Sequence, residues 1–414
     1  MKLLIVGSGG REHALAWKAA QNPRVQKIFC APGNGGTALE NKCINVNITA
    51  IEELAAFAKD NEISLTIVGP EEPLTKGIVD YFKKEGLRCF GPSKKASALE
   101  GSKVYSKAFM KKYGVKTAEY QSFRDAEEAK AYLKGCSLPI VIKADGLAAG
   151  KGVYICDTLE EAEKAIEEIM VLDIFNGAGG EVVIEEFLQG VEASILSITD
   201  GKTIIPFISA KDHKQLYTGG KGPNTGGMGV IAPNPYVTNE VMEAFNKDVL
   251  LPTLKGIQEE NLDYIGIIFF GIMITSKGVY LLEYNVRLGD PETEAVLPLM
   301  DTDLIDLIDA ALEGRLSDFN IRWKKECACS VVAASGGYPG SYKKGYPMEI
   351  DDNPSEKVFI AGASLNEGKL ITSGGRVLCA TALGATMGEA NSKAYEAMRK
   401  ISFKDMYYRE DIGK

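Results

Sequence analysis

The run Ile142-Lys143-Ala144-Asp145-Gly146-Leu147-Ala148-Ala149-Gly150-Lys151-Gly152-Val153 constrains the fold of this chain more than any other stretch. Its glycines sit between two β-branched segments, residues 139–144 and 153–156, which predicts a hairpin with a glycine-rich tip. A P-loop is excluded. It would need four residues between the first glycine and the Gly-Lys pair, then Ser or Thr opening a helix. Here three residues separate Gly146 from Gly150, Gly152 stands where the hydroxyl residue would be, and a strand pattern follows. What remains is a tip whose backbone N–H groups can approach phosphate oxygens, with Lys143 on the strand feeding it and Lys151 at its apex. Taken alone, the run fits a tight turn with solvated lysines equally well.

A second stretch, Tyr280-Leu281-Leu282-Glu283-Tyr284-Asn285-Val286-Arg287, reads as a strand. Strand side chains alternate faces, so Glu283, Asn285 and Arg287 are expected on one face and Leu282 and Tyr284 in the core. A carboxylate and an amide carbonyl are hard oxygen donors, suited to Mg²⁺ or Mn²⁺ and unsuited to zinc. Arg287 on the same face would neutralise charge on a transferring phosphoryl group. The plain alternative is the polar face of an ordinary strand. Asp290-Pro291-Glu292 reads first as an N-cap, an N1 proline and an acidic first turn.

A length of 414 residues predicts two to four domains. With 45% hydrophobic and 25% charged residues the composition is that of a soluble globular protein. The net charge of -9 argues against a general nucleic-acid binder. The eight cysteines form no CxxC pair or His/Cys spacing, so reduced thiols are expected and a zinc site is not. The longest apolar run, residues 264–275, is too short to span a bilayer, and the start is too short for a signal peptide. A cytoplasmic protein is the expectation.

Residues 1–103 alternate strand and helix patterns, which predicts a parallel α/β domain with ligands at the carboxyl ends of its strands. Predicted strands at 2–6, 26–30, 65–68 and 87–90 alternate with helices at 12–20, 51–59 and 75–84. Residues 104–120 and 189–325 read as a central domain, 121–188 as a small α+β lid, and 326–414 as a C-terminal α+β domain. A long helix over 238–260, bent at Pro252, is predicted in the central domain. The turn Gly7-Ser8-Gly9-Gly10-Arg11-Glu12 imitates a dinucleotide fingerprint, but Glu12 replaces its last glycine. A helix N-terminus carrying Arg11 suits a sugar phosphate better than NAD. Pro32-Gly33-Asn34 and Gly69-Pro70-Glu71-Glu72 end strands on the same rim, where turn chemistry explains the glycines and prolines as well.

The hairpin around Lys143, the strand end Glu185-Glu186-Phe187-Leu188 and the Glu283/Asn285 pair resemble the ATP-grasp superfamily. More narrowly, Gly10-Arg11-Glu12-His13, Asp212-His213-Lys214, Asn224-Thr225-Gly226-Gly227-Met228-Gly229 and the stretch from Asn285 to Glu292 resemble the phosphoribosylamine–glycine ligase family. The likeness runs along essentially the whole chain. It implies an ATP-grasp multidomain fold and a reaction of purine synthesis, in which ATP activates glycine as an acyl phosphate that the amine of 5-phosphoribosylamine attacks.

By the same resemblance, Lys107, Lys143, Gly146, Gly150, Lys151 and Gly152 would contact ATP. Glu185, Glu186, Phe187 and Leu188 would line the adenine pocket, and Glu192 would hold the ribose. Glu283 and Asn285 would hold Mg²⁺ or Mn²⁺, while Arg287, Asp212 and Lys214 would act in catalysis. Gly10, Arg11, Glu12, His13, Asn34, Glu71, Thr225, Gly226, Gly227, Asp290, Pro291 and Glu292 would bind substrate. A monomer acting on small molecules is implied. For His13 and His213 a hydrogen-bonded structural role stands beside the catalytic one. Three competing readings are a carboxylate–amine ligase with another acceptor, a non-catalytic nucleotide sensor and a nicotinamide oxidoreductase. Glu12 counts against the last.

Overall fold

The computed structural model describes residues 1–147, 152–175, 177, 179–351 and 356–414. The N-terminal unit is a five-stranded parallel sheet in which Lys2–Gly7 lies centrally, between Lys27–Pro32 and Leu65–Val68, with Cys43–Asn45 and Cys89–Phe90 at the edges. Leu3, Leu4 and Ile5 are wholly buried because helices cover both sheet faces. The helix Gly10–Ala20 leaves the carboxyl end of the central strand and packs on the helix Glu292–Leu299. The helix expected over 75–84 is two short helices, Glu71–Lys76 and Ile78–Lys84. Gly77 separates them at φ +90°, a conformation that L side chains rarely adopt.

The lid is an antiparallel sheet of Tyr120–Phe123, Val182–Glu186, Ile140–Ala144 and Val153–Cys156, in that order. Lys143 pairs with Val153, so the expected hairpin is present. The central unit is the four-stranded sheet Ile204–Pro206, Val191–Thr199, Gly266–Thr275 and Gly278–Asn285. The long helix expected over 238–260 is Asn239–Phe245 and Leu251–Glu259 joined by a π-turn at Asn246–Leu250, with Pro252 in the first turn of the second segment.

The C-terminal sheet centres on Cys327–Ser335 and Arg376–Gly384, backed by the helix Met387–Met398. It also takes in two short strands from far upstream, Lys211–Asp212 and Gly229–Ala232, the latter paired directly with Cys327–Ser335. One sheet therefore crosses from the central to the C-terminal part of the chain. Among the described residues, no helix is long and apolar enough to cross a membrane.

Candidate active site

The carboxyl ends of the N-terminal strands, the lid, the central sheet and the C-terminal sheet face a common cleft of about 500 Å³. On one wall, the helix Lys103–Tyr113 supplies Lys107 and the lid strand Ile140–Ala144 supplies Lys143. Both ammonium groups converge on one buried carboxylate oxygen: Glu185 Oε2 lies 3.2 Å from Lys107 Nζ and 3.0 Å from Lys143 Nζ. The other oxygen, Glu185 Oε1, is buried without a hydrogen-bond partner. Burial lowers the Lys107 pKa to about 8, against the upward pull of Glu185. Lys143 also donates to the carbonyl of Leu282 at 3.3 Å, which links the hairpin to the strand Gly278–Asn285. Glu186, Phe187, Leu188 and Gly152 line the same wall.

The strand Gly278–Asn285 does not alternate as expected. Gly271 pairs with Glu283 but Ile272 pairs with Leu281, so Leu282 is the extra residue of a β-bulge. The bulge shifts the phase. Leu281 and Tyr284 are buried, while Leu282, Glu283, Asn285 and Arg287 all line the cleft. Leu282, expected in the core, is a cleft residue whose carbonyl receives Lys143.

Burial opposes ionisation of Glu283, yet Lys214, Lys143 and Lys103 hold its carboxyl below the ordinary value. Asn285 Oδ1 accepts from Arg287 Nη2 at 3.0 Å and keeps a second lone pair. An ionised carboxylate beside an amide oxygen fits a hard divalent cation that takes its remaining ligands from water and phosphate. Among the described residues no group of three or more His, Cys, Asp or Glu side chains could hold a metal ion, so the protein offers no complete cage.

Arg287 is ion-paired within the protein. Its Nε reaches Glu71 at 3.2 Å and its Nη2 reaches Glu100 at 2.8 Å. Glu100 also accepts from the Val286 N–H at 2.7 Å and so fixes the end of the strand.

In the same cleft, Lys214 meets Glu192 at 3.2 Å. Glu192, followed by Glu283 and Asp212, raises the Lys214 pKa although burial lowers it. Asp212 is pushed well above the carboxylate range, by burial first and by Glu292 second, and its Oδ1 is buried without a partner. Glu292 accepts from Ser194 Oγ at 2.9 Å. Thr225, Gly226 and Asp290 complete this wall. Gly227 adopts φ +113°, and a Cβ there would lie 2.5 Å from Asp212 Oδ1.

The N-terminal turn is filled by the protein itself. Glu12 Oε2 accepts from the Gly9 N–H at 2.5 Å and Oε1 accepts from Arg11 Nε at 2.6 Å. A Cβ on Gly7 would lie 2.6 Å from the Glu12 side chain, and one on Gly10 would strike Glu294. These glycines make room for the Glu12 and Glu294 carboxylates. Arg11 also donates to the Leu288 carbonyl at 3.0 Å, and the Arg11 N–H points to Asp290 Oδ2 at 3.4 Å. Arg11 reaches the cleft wall already paired, whereas Gly10 and Glu12 are not among the residues that line it.

His13 and Asn34 also stand away from the cleft. His13 Nδ1 accepts from the Ile360 N–H at 2.8 Å, which places its proton on Nε2, facing Glu40 at 3.3 Å. Burial lowers its pKa, and the ring joins the N-terminal and C-terminal units. The Asn34 amide donates to the carbonyls of Ser8, Gly9 and Ile360 and accepts from the N–H groups of Gly36 and Thr37. His213 Nδ1 lies 3.2 Å from the Gly229 carbonyl, and burial brings its pKa down to about 4. Gly146 lies at the base of the hairpin, its carbonyl accepting from Lys103 at 3.1 Å. Pro291 packs behind Gly227. Gly150 and Lys151 lie outside the described residues.

Family models described as the N domain, the ATP-grasp (A) domain and the C domain of phosphoribosylglycinamide synthetase match residues 1–100, 101–293 and 328–414. The phosphoribosylamine–glycine ligase of Clostridium acetobutylicum is 63% identical over 414 residues, covering 100% of both chains. The chain belongs to the phosphoribosylamine–glycine ligase family. The crystal structure of the Thermotoga maritima phosphoribosylamine–glycine ligase has a TM-score of 0.89 at 36% identity, covering 100% of both chains. The biotin carboxylase domain of Hydrogenobacter thermophilus 2-oxoglutarate carboxylase, solved with MgADP and bicarbonate, shares the fold at 16% identity. Its TM-score is 0.75, and the match covers 98% of this chain and 91% of that one. The ATP-grasp fold expected from the sequence is therefore the fold of this family member.

Three charged cleft residues escaped the sequence reading. Lys103 precedes Lys107 by four residues on one helix, a spacing that puts both on the same face and could have revealed it. Glu100 and Arg376 line the cleft from segments whose local sequence carries no comparable signal.

Proposed function

We propose that this chain joins glycine to 5-phosphoribosylamine, giving glycinamide ribonucleotide, ADP and phosphate by way of glycyl phosphate. Family membership supports the overall reaction of purine synthesis. The site assignment rests on one observation: the paired lysines and the carboxylate–amide strand share a cleft, with Lys143 on the carbonyl next to Glu283.

A carboxylate resists nucleophilic attack until one of its oxygens becomes a leaving group. A glycine oxygen attacks the γ-phosphorus and ADP departs; the amine then attacks the acyl carbon and phosphate departs. Lys107 and Lys143 meet the phosphates in exchange for Glu185, which pairs with both ammonium groups in this structure. Glu283 and Asn285 would hold Mg²⁺ or Mn²⁺, whose charge offsets that of the triphosphate. The segment 186–188 borders the adenine and Glu192 the ribose. Arg287 orients Asn285 from its ion pairs with Glu71 and Glu100. Asp212, whose Oδ1 is buried without a partner beside the 225–227 loop, would in its ionised form take the proton lost by the attacking amine. Eight free cysteines support a reducing, cytoplasmic setting, and a monomer suffices because every group named lies on one chain. ADP release measured with freshly made phosphoribosylamine should require glycine. Release independent of glycine would refute the reaction.

A further inference from the structure

The geometry points to Arg376 as a positioning residue for the acceptor half of this reaction, a role that rests on the function proposed above. Arg376 opens the strand Arg376–Gly384 and reaches the cleft from the C-terminal sheet. Its Nη2 pairs with Asp290 Oδ1 at 2.9 Å, and its Nη1 donates to the Asp290 carbonyl at 2.8 Å and to the Gly226 carbonyl. The guanidinium lies close over Gly226, where a Cβ would come within 2.9 Å of its carbon and displace it. The Gly226 N–H donates to Tyr338 Oη at 3.0 Å, so the C-terminal part of the chain holds this peptide from both sides.

The contacts continue in two directions. Through Gly227 they reach Asp212 and Pro291, both of which crowd that glycine. Through Asp290 Oδ2 they reach the Arg11 N–H at the start of the helix Gly10–Ala20. One planar cation thus sets the relative positions of Asp212, the 225–227 loop and Asp290. The described contacts of Lys107, Lys143 and Glu185 do not involve it. The guanidinium fork satisfies a carboxylate and two carbonyls together, which an ammonium cannot reproduce.

The test compares Arg376→Ala, Arg376→Lys and Tyr338→Phe with the unaltered enzyme. Steady-state constants for glycine and phosphoribosylamine are measured beside the Kd for ADP. Arg376→Ala should raise an acceptor KM by about tenfold or more while the Kd for ADP stays within about twofold. Arg376→Lys should fall between alanine and the unaltered enzyme, and Tyr338→Phe should give a smaller rise in the same KM. If the alanine variant does not fold, the other two carry the test under the same criteria. Unmoved acceptor constants, or ADP affinity falling in parallel, would overturn the inference. Failure of glycine-dependent ADP release in the unaltered enzyme would instead overturn the reaction.

Discussion

The two walls of the cleft are built on different principles. On the wall proposed to meet the nucleotide, cations lie on regular elements and converge on one carboxylate, Glu185, within 3.0–3.2 Å. An incoming phosphate could replace Glu185 as the partner of both lysines. On the wall proposed to meet the acceptor, carboxylates dominate: Asp212 is crowded against Gly227, and Asp290 is paired with Arg376 and faces the Arg11 N–H. The first wall is specified by charge, the second by exact space around small residues. Charge can be read from residue types, whereas space depends on what the fold brings alongside.

The contrast can be broken most directly at Glu283. Glu283→Ala removes an oxygen donor without removing core volume, so turnover should fall by ~10²–10³-fold with the unfolding transition unchanged. Near-normal turnover in Mg²⁺ would dismiss this strand as the cation site. Next comes Arg11→Ala, which leaves the Glu12 carboxylate buried without its cation. It should lower stability by about 3–5 kcal/mol in denaturant titration. A change confined to substrate KM would mean that the N-terminal turn serves a ligand after all.

Gly227→Ala should cost the acceptor side about 1–3 kcal/mol, seen as a weaker KM for an acceptor, because φ +113° is strained for alanine. Equal damage to ADP binding would blur the two walls into one. The mildest effect concerns pH. Lys107, with a pKa near 8, carries its charge below that value and loses it above. ADP affinity should therefore weaken as pH rises past about 8, by at most about tenfold per pH unit. Lys107→Arg should flatten the profile, and a flat profile in the unaltered enzyme would assign the phosphate contact elsewhere.

The sequence exposed the nucleotide wall because its groups come in short contiguous runs with recognisable spacing. The hairpin 139–156 and the strand ending at Asn285 are both where the residue pattern put them. Leu282 was misplaced because a bulge belongs to the pairing with Gly271, not to either strand alone. Glu12 was legible as a departure from the dinucleotide pattern, but that it fills its own turn emerges only when Gly7 and Gly9 close around it. Arg376 and Asp290 lie 86 residues apart in the chain, so nothing local to either announces the pair. The strand Lys211–Asp212 is too short to show any periodicity.

The shared C-terminal sheet has a practical consequence for anyone dividing this molecule. Ending an expressed fragment near residue 326 would strip Gly229–Ala232 of its neighbour Cys327–Ser335, leaving the wholly buried Val230 on a bare edge. Such an edge invites intermolecular pairing. Fragments cut there should precipitate or associate, and recombining both pieces should restore solubility along with the disrupted ladder.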